Sequence, residues 1–149
     1  PLPKKKQEKM SMKTIFVGGG SDERGEVAAA IAILRAHGWT ITFDWPAAME
    51  REPAVLSPEY VYELAGAMED AICHSQVVWI MLPKKKSEGA AAELGMARMS
   101  IRNNPGSPRA LVVSGGVMDL GRIYPTRAKA QGRIFEDHAD ALTFLCNLR

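Results

Sequence analysis

Val77-Val78-Trp79-Ile80-Met81-Leu82 restricts the fold of this chain more than any other stretch. It is an unbroken apolar run between Ser75-Gln76 and Pro83-Lys84-Lys85-Lys86. A strand with one wet face alternates apolar and polar residues. A continuous run of this length therefore belongs to a strand covered on both faces, as in a parallel sheet flanked by helices. Helical patterns lie on either side of it, as that arrangement demands. Upstream, Ser57 and Pro58 supply an N-cap and a first-turn proline for a helix with the stripe Val61, Leu64, Ala65, Met68 and Ile72, running to about His74. Downstream, the Ala, Leu and Met content predicts a helix from Ala90 to about Ile101.

The same alternation extends to both ends. Residues 13–18 form a β-branched and aromatic strand that runs into Gly18-Gly19-Gly20, and Ser21-Asp22-Glu23-Arg24 opens a helix with stripe Val27, Ile31 and Leu34, closed at His37-Gly38. Thr40–Asp44 alternates as a second strand, ended by Trp45-Pro46. Residues 46–56, with two prolines and mixed charges, read as a loop of the length found in lids and binding loops. Ala110–Val113 and Arg133–Phe135 are two further strands, and a helix spans Asp137 to Leu148. The order β-α-β-α-β-α-β-β-α predicts an α/β fold. It is a doubly wound, mostly parallel five-stranded sheet with helices on both faces, flavodoxin-like or Rossmann-like.

A chain of 149 residues buries roughly two-thirds of its unfolded surface as one domain. At 46% hydrophobic and 24% charged residues, it is neither disordered nor a disulfide scaffold. The formal charge of +2 comes from the N-terminus, where Lys4, Lys5, Lys6 and Lys9 face only Glu8. The rest of the chain is net −1, so a nucleic-acid polymer is an unlikely partner for the folded body. Residues 1–12 read as a flexible N-terminal extension, with Met10 or Met12 as candidate starts and residues 13–149 as the domain. Cys73 and Cys146 have no metal or redox spacing and read as buried free thiols. No apolar run approaches the roughly 18 residues of a membrane span, and no secretory signal is present, so a cytoplasmic protein with no membrane partner is expected.

In open parallel sheets ligands bind beyond the carboxyl ends of the strands, which selects three loops: Gly18–Arg24, Asp44–Pro58 and Pro83–Glu93. In the first, Gly18, Gly19, Gly20 and Ser21 expose backbone N–H groups to an anion, with Arg24 behind them. The pattern is neither GxGxxG nor a Walker motif, and no cofactor is implied. The second offers Asp44, and Trp45 as either a base-stacking or a core residue. In the third, Ser87 and Gly89 precede a helix whose Glu93 lies in an otherwise small and apolar segment, Ala90-Ala91-Ala92-Glu93-Leu94-Gly95. A carboxylate packed there has a raised pKa and suits nucleophilic or acid–base work. Lys84-Lys85-Lys86 either attracts phosphate or is a solvated loop. His37, His74 and His138 show no metal spacing, and no metal is implied.

Ile15-Phe16-Val17-Gly18-Gly19-Gly20, the apolar run at 77–82 and Ser87-x-Gly89-x-x-x-Glu93-Leu94-Gly95-x-Ala97 together resemble the nucleoside 2-deoxyribosyltransferase superfamily, closest to its 2′-deoxynucleoside 5′-phosphate N-hydrolase branch. The resemblance covers about residues 13–114. It implies a glycosyl-enzyme intermediate on Glu93, a 5′-phosphate contact at Ser87, a nucleoside or nucleoside 5′-monophosphate substrate, and a homo-oligomer, a dimer or larger. One departure is visible. The family's helix aspartate falls at Met68 and its strand-start aspartate at Gln76, with Glu69 on the flank of the helix as a possible substitute and Asp70 on the far side. Two alternatives follow. One is a Toll/interleukin-1-receptor-like NAD glycohydrolase, although Ala90-Ala91-Ala92 stands where such domains often carry Trp-Cys-x-x. The other is a catalytically silent nucleotide-binding module.

Overall fold

The run at 77–82 is the middle of a five-stranded, all-parallel sheet. A computed structural model describes residues 13–50, 57–106, 108, 110–116 and 132–148. The strands are β1 (Thr14–Gly19), β2 (Thr40–Ile41), β3 (Val77–Met81), β4 (Ala110–Ser114) and β5 (Gly132–Phe135), in spatial order β2-β1-β3-β4-β5. Every residue of β3 is buried, as its unbroken apolar composition requires. It is flanked by β1, where Gly18 pairs with Ile80 and Gly19 with Met81, and by β4, where Ile80 pairs with Val113.

Helices α1 (Arg24–Ala36) and α5 (His138–Cys146) pack together on one face, and α3 (Pro58–His74) and α4 (Glu88–Asn103) on the other. The sheet is doubly wound, and its core is continuous through both layers. Caps set the helix starts. The Ser57 side chain accepts from Tyr60 N at 3.1 Å, Ser87 from Ala90 N at 3.3 Å, and Asp137 from Ala139 N at 2.8 Å. Trp39 Nε1 donates to Leu145 O at 3.1 Å, which ties the entry to β2 to the end of α5.

The segment after the start of β2 departs from the sequence reading. The second strand stops at Ile41, and residues 45–50 form a short helix, α2 (Trp45–Glu50), where a loop from residue 46 was expected. Asp44 caps it, accepting from Ala47 N at 3.1 Å, and Pro46 sits in the first turn, where a missing N–H costs nothing. Residues 51–56 of the expected loop, and the N-terminal extension 1–12, lie outside the described residues. On α3 the predicted stripe is buried only toward its end. Of its residues Ile72 is buried, Leu64 and Met68 are half-buried, and Ala65 and Val61, the latter at 45%, are exposed, as is the neighbouring Tyr62 at 81%. Cys73 is exposed rather than buried, one step along the helix from Ile72, while Cys146 is half-buried and its thiol pushed up by burial. Neither forms a disulfide. No described helix is long and apolar enough to cross a membrane.

Candidate active site

The strand order reverses direction between β1 and β3, so the loops leaving their carboxyl ends diverge and open a crevice. Glu93 enters this crevice from the second turn of α4. It is 6% exposed, and its Oε2 is buried with no hydrogen-bond partner. Desolvation pushes its carboxyl up to about 8, and the Gly19 backbone N–H opposes this only in part. A buried carboxyl with an unmet oxygen costs about 1–3 kcal/mol or more, so Glu93 does not stabilise the fold through that oxygen.

Three consecutive glycines make room for this arrangement, each for a different neighbour. A Cβ at Gly18 would overlap Glu93 Oε2 and lie 2.9 Å from Ile80 Cδ1. At Gly19 it would meet Val27 Cγ2 at 2.9 Å, and at Gly20 Pro83 Cβ at 2.9 Å. The glycine edge therefore runs from the Glu93 carboxyl at its start to an open cleft at its end. That cleft, of about 560 Å³, is lined by residues 20–23 and 83–88. Its wall includes Ser21, Ser87 and Lys84-Lys85-Lys86 together with Asp22, Glu23 and Glu88. Glu93 itself does not line it.

Of the expected site residues, Gly18, Gly19, Gly20, Ser21, Ser87 and Glu93 gather along this line. Gly89 is exposed in the first turn of α4, near Ser87 Oγ. Arg24 is exposed at the start of α1. Three expectations are corrected. Trp45 is 2% exposed and its Nε1 donates to Val17 O at 2.9 Å, so the indole is a core residue and offers no face to a base. Asp44 has both oxygens committed, one to Ala47 N and the other to Arg35 Nη1 at 2.8 Å, and it serves the fold. Glu69 is exposed on α3 with no hydrogen bond or ion pair to the glycine edge or to α4. Met68 is half-buried and packs against the core.

Sequence reasoning passed over a second group at the same end of the sheet. Trp79 Nε1 donates to Ser114 Oγ at 2.8 Å, and Ser114 Oγ lies 2.7 Å from His138 Nδ1. Trp79 and Ser114 are fully buried and His138 is half-exposed. His138 lines a cleft of about 460 Å³ with residues 82–84, 115–116 and 136–137. The available signal was positional: Ser114-Gly115-Gly116 ends a strand and His138 opens a helix. Comparison with known proteins yields no matching family model and no matching curated protein.

Proposed function

We propose that this chain cleaves the N-glycosidic bond of a nucleoside or nucleoside 5′-monophosphate, or transfers its (deoxy)ribosyl group, with Glu93 as nucleophile. The supporting observation is the buried Glu93 carboxyl, whose Oε2 has no partner and faces a strand position kept free of any side chain. The ionised carboxylate attacks the anomeric carbon, and the carbon–nitrogen bond breaks with its electron pair leaving on the base, which takes a proton from water. Water or a second base then attacks the same carbon and restores the carboxylate. Hydrolysis and transfer differ only in that acceptor.

Gly18 to Gly20 spans two residues of extended chain, about 7 Å, the scale of a sugar with its 5′-phosphate. A phosphate in the cleft meets the Ser21 and Ser87 hydroxyls, the lysine loop and the N-terminus of α4. The resemblance described above adds the nucleotide class and a homo-oligomer. The outward positions of α3 and α4, with Val61, Tyr62 and Met99 exposed, offer apolar surface for that assembly. A nucleotide substrate also fits a cytoplasmic site of action.

One observation favours a second reading, a nucleotide-binding module without turnover: Glu69 and Asp70 are both exposed, and Met68 stands where the resembled family carries its helix aspartate. Incubation with a panel of nucleosides and 5′-monophosphates, with free base read by chromatography, tests the proposal. Base release that disappears in Glu93→Ala supports it. A thermal shift by a nucleotide that stays intact over hours supports the second reading.

A further inference from the structure

Glu23, Glu26 and His138 come from two ends of the chain yet converge beyond the carboxyl edge of the sheet. One ligand atom of each lies within 4.8 Å of those of the other two. Glu23 closes the 3-10 turn before α1, Glu26 lies three residues on and so shares its face, and His138 opens α5. We infer that these three side chains form a binding site for one divalent transition-metal ion.

The surroundings orient two of the three ligands. The Lys84 backbone N–H donates to Glu23 Oε1 at 2.9 Å and fixes that carboxylate. His138 Nδ1 is held by Ser114 Oγ, itself anchored by the buried Trp79 indole, which leaves Nε2 as the nitrogen open to a ligand. Gly115 completes the seat: a Cβ there would come 2.5 Å from His138 Cε1 and 3.1 Å from Nε2. Such outer partners are what a metal-ligating imidazole and carboxylate require to keep tautomer and direction. Ser114 Oγ has two lone pairs, so it can accept from Trp79 Nε1–H and His138 Nδ1–H together, the tautomer that metal binding at Nε2 needs.

Charge argues the same way. Two carboxylates meet here, and neither makes an ion pair with Lys or Arg among the described residues. Bonds of about 2.0–2.2 Å to nitrogen and oxygen put ligand atoms roughly 3–4.4 Å apart, a spacing that a small rotation of the exposed Glu26 supplies. One imidazole nitrogen with two carboxylates suits Zn²⁺, Co²⁺ or Mn²⁺. Ca²⁺ takes six to eight oxygens and Mg²⁺ keeps most of its water. Glu23 also lines the cleft that holds Ser21 and the lysine loop, so the ion sits at that rim with positions left for water or an anion.

Calorimetric titration of Zn²⁺ into the untagged, chelator-treated full chain tests this, with Co²⁺ absorption as a second readout. A Cys73→Ser background removes the exposed thiol as a competing ligand. The expected result is one saturable equivalent, weakened at least tenfold by His138→Ala and by Glu26→Gln and insensitive to excess Ca²⁺. Glu26 is exposed, so that variant keeps its fold. No saturable equivalent, binding that survives His138→Ala unchanged, or binding that vanishes with Cys73→Ser overturns the inference.

Discussion

The Glu93 carboxyl occupies the space that a side chain at position 18 would need. Its Oε2 overlaps any Cβ built on Gly18, although the two residues lie on different elements, α4 and β1. The absence of a side chain at one residue thus makes room for the carboxyl group of the other. Gly18→Ala is expected to push the carboxyl out of the crevice, lowering base release at least 100-fold. Stability should fall by only about 1–3 kcal/mol, the usual cost of overpacking. Gly18→Ala combined with the shorter Glu93→Asp should recover part of the lost activity relative to Gly18→Ala alone. Steady-state kinetics beside denaturant melts of the three variants check this.

The raised carboxyl ties activity and stability to pH with opposite signs. A nucleophile must be ionised, so kcat/KM should rise with pH and level off above about 8. Folding runs the other way. The native state holds the Glu93 proton up to about 8 and the unfolded chain only to the ordinary carboxyl range near 4.5. Between these limits the unfolded state binds fewer protons, and stability falls by about 1.4 kcal/mol per pH unit at most. Glu93→Gln removes this slope and should be more stable than the parent at pH 8–9. Melts across pH 5–9 measure the difference. A parent stability that is flat in pH contradicts the burial of this group.

Trp45 is predicted to matter to the fold and not to binding. Trp45→Phe leaves the Val17 carbonyl without its donor and should cost about 1–3 kcal/mol. KM should change less than twofold. An unchanged melt with a raised KM would return the indole to the binding surface.

Assembly is predicted through the outward face of α3, where Tyr62 is 81% and Val61 45% exposed. Light scattering at micromolar concentration should give at least twice the chain mass of 16.3 kDa, and Val61→Glu with Tyr62→Glu should return it to the monomer. A parent mass near 16.3 kDa that holds on tenfold concentration contradicts this prediction.

Local signals made the central strand, the Ser57 cap, the hydroxyl of Ser87 before a helix and the burial of Glu93 readable from sequence. An apolar run, a hydroxyl before a helix and one acid among alanines each carry their meaning within a few residues. The 40–50 segment was misread for a local reason of another kind. Thr40–Asp44 alternates like a strand, but Asp44 followed by Pro46 is also a helix start, and that reading won after only two strand residues. Trp45 could not be assigned because its partner, Val17 O, is 28 residues away. The Trp79–Ser114–His138 chain and the meeting of Glu23 and Glu26 with His138 were invisible for the same reason. Their spacing exists only after β1, β3, β4 and α5 have been brought to one edge.

The central claim is that Glu93 forms a bond to the sugar, and acid-quenched digestion with mass spectrometry tests it most directly. The account predicts that, during turnover of a cleaved substrate, the peptide containing Glu93 carries the added mass of one pentosyl or deoxypentosyl group, with 5′-phosphate where the substrate has it. Glu93→Gln should show neither the adduct nor base release. Undiminished base release by Glu93→Gln, or an adduct on any other residue, would contradict it.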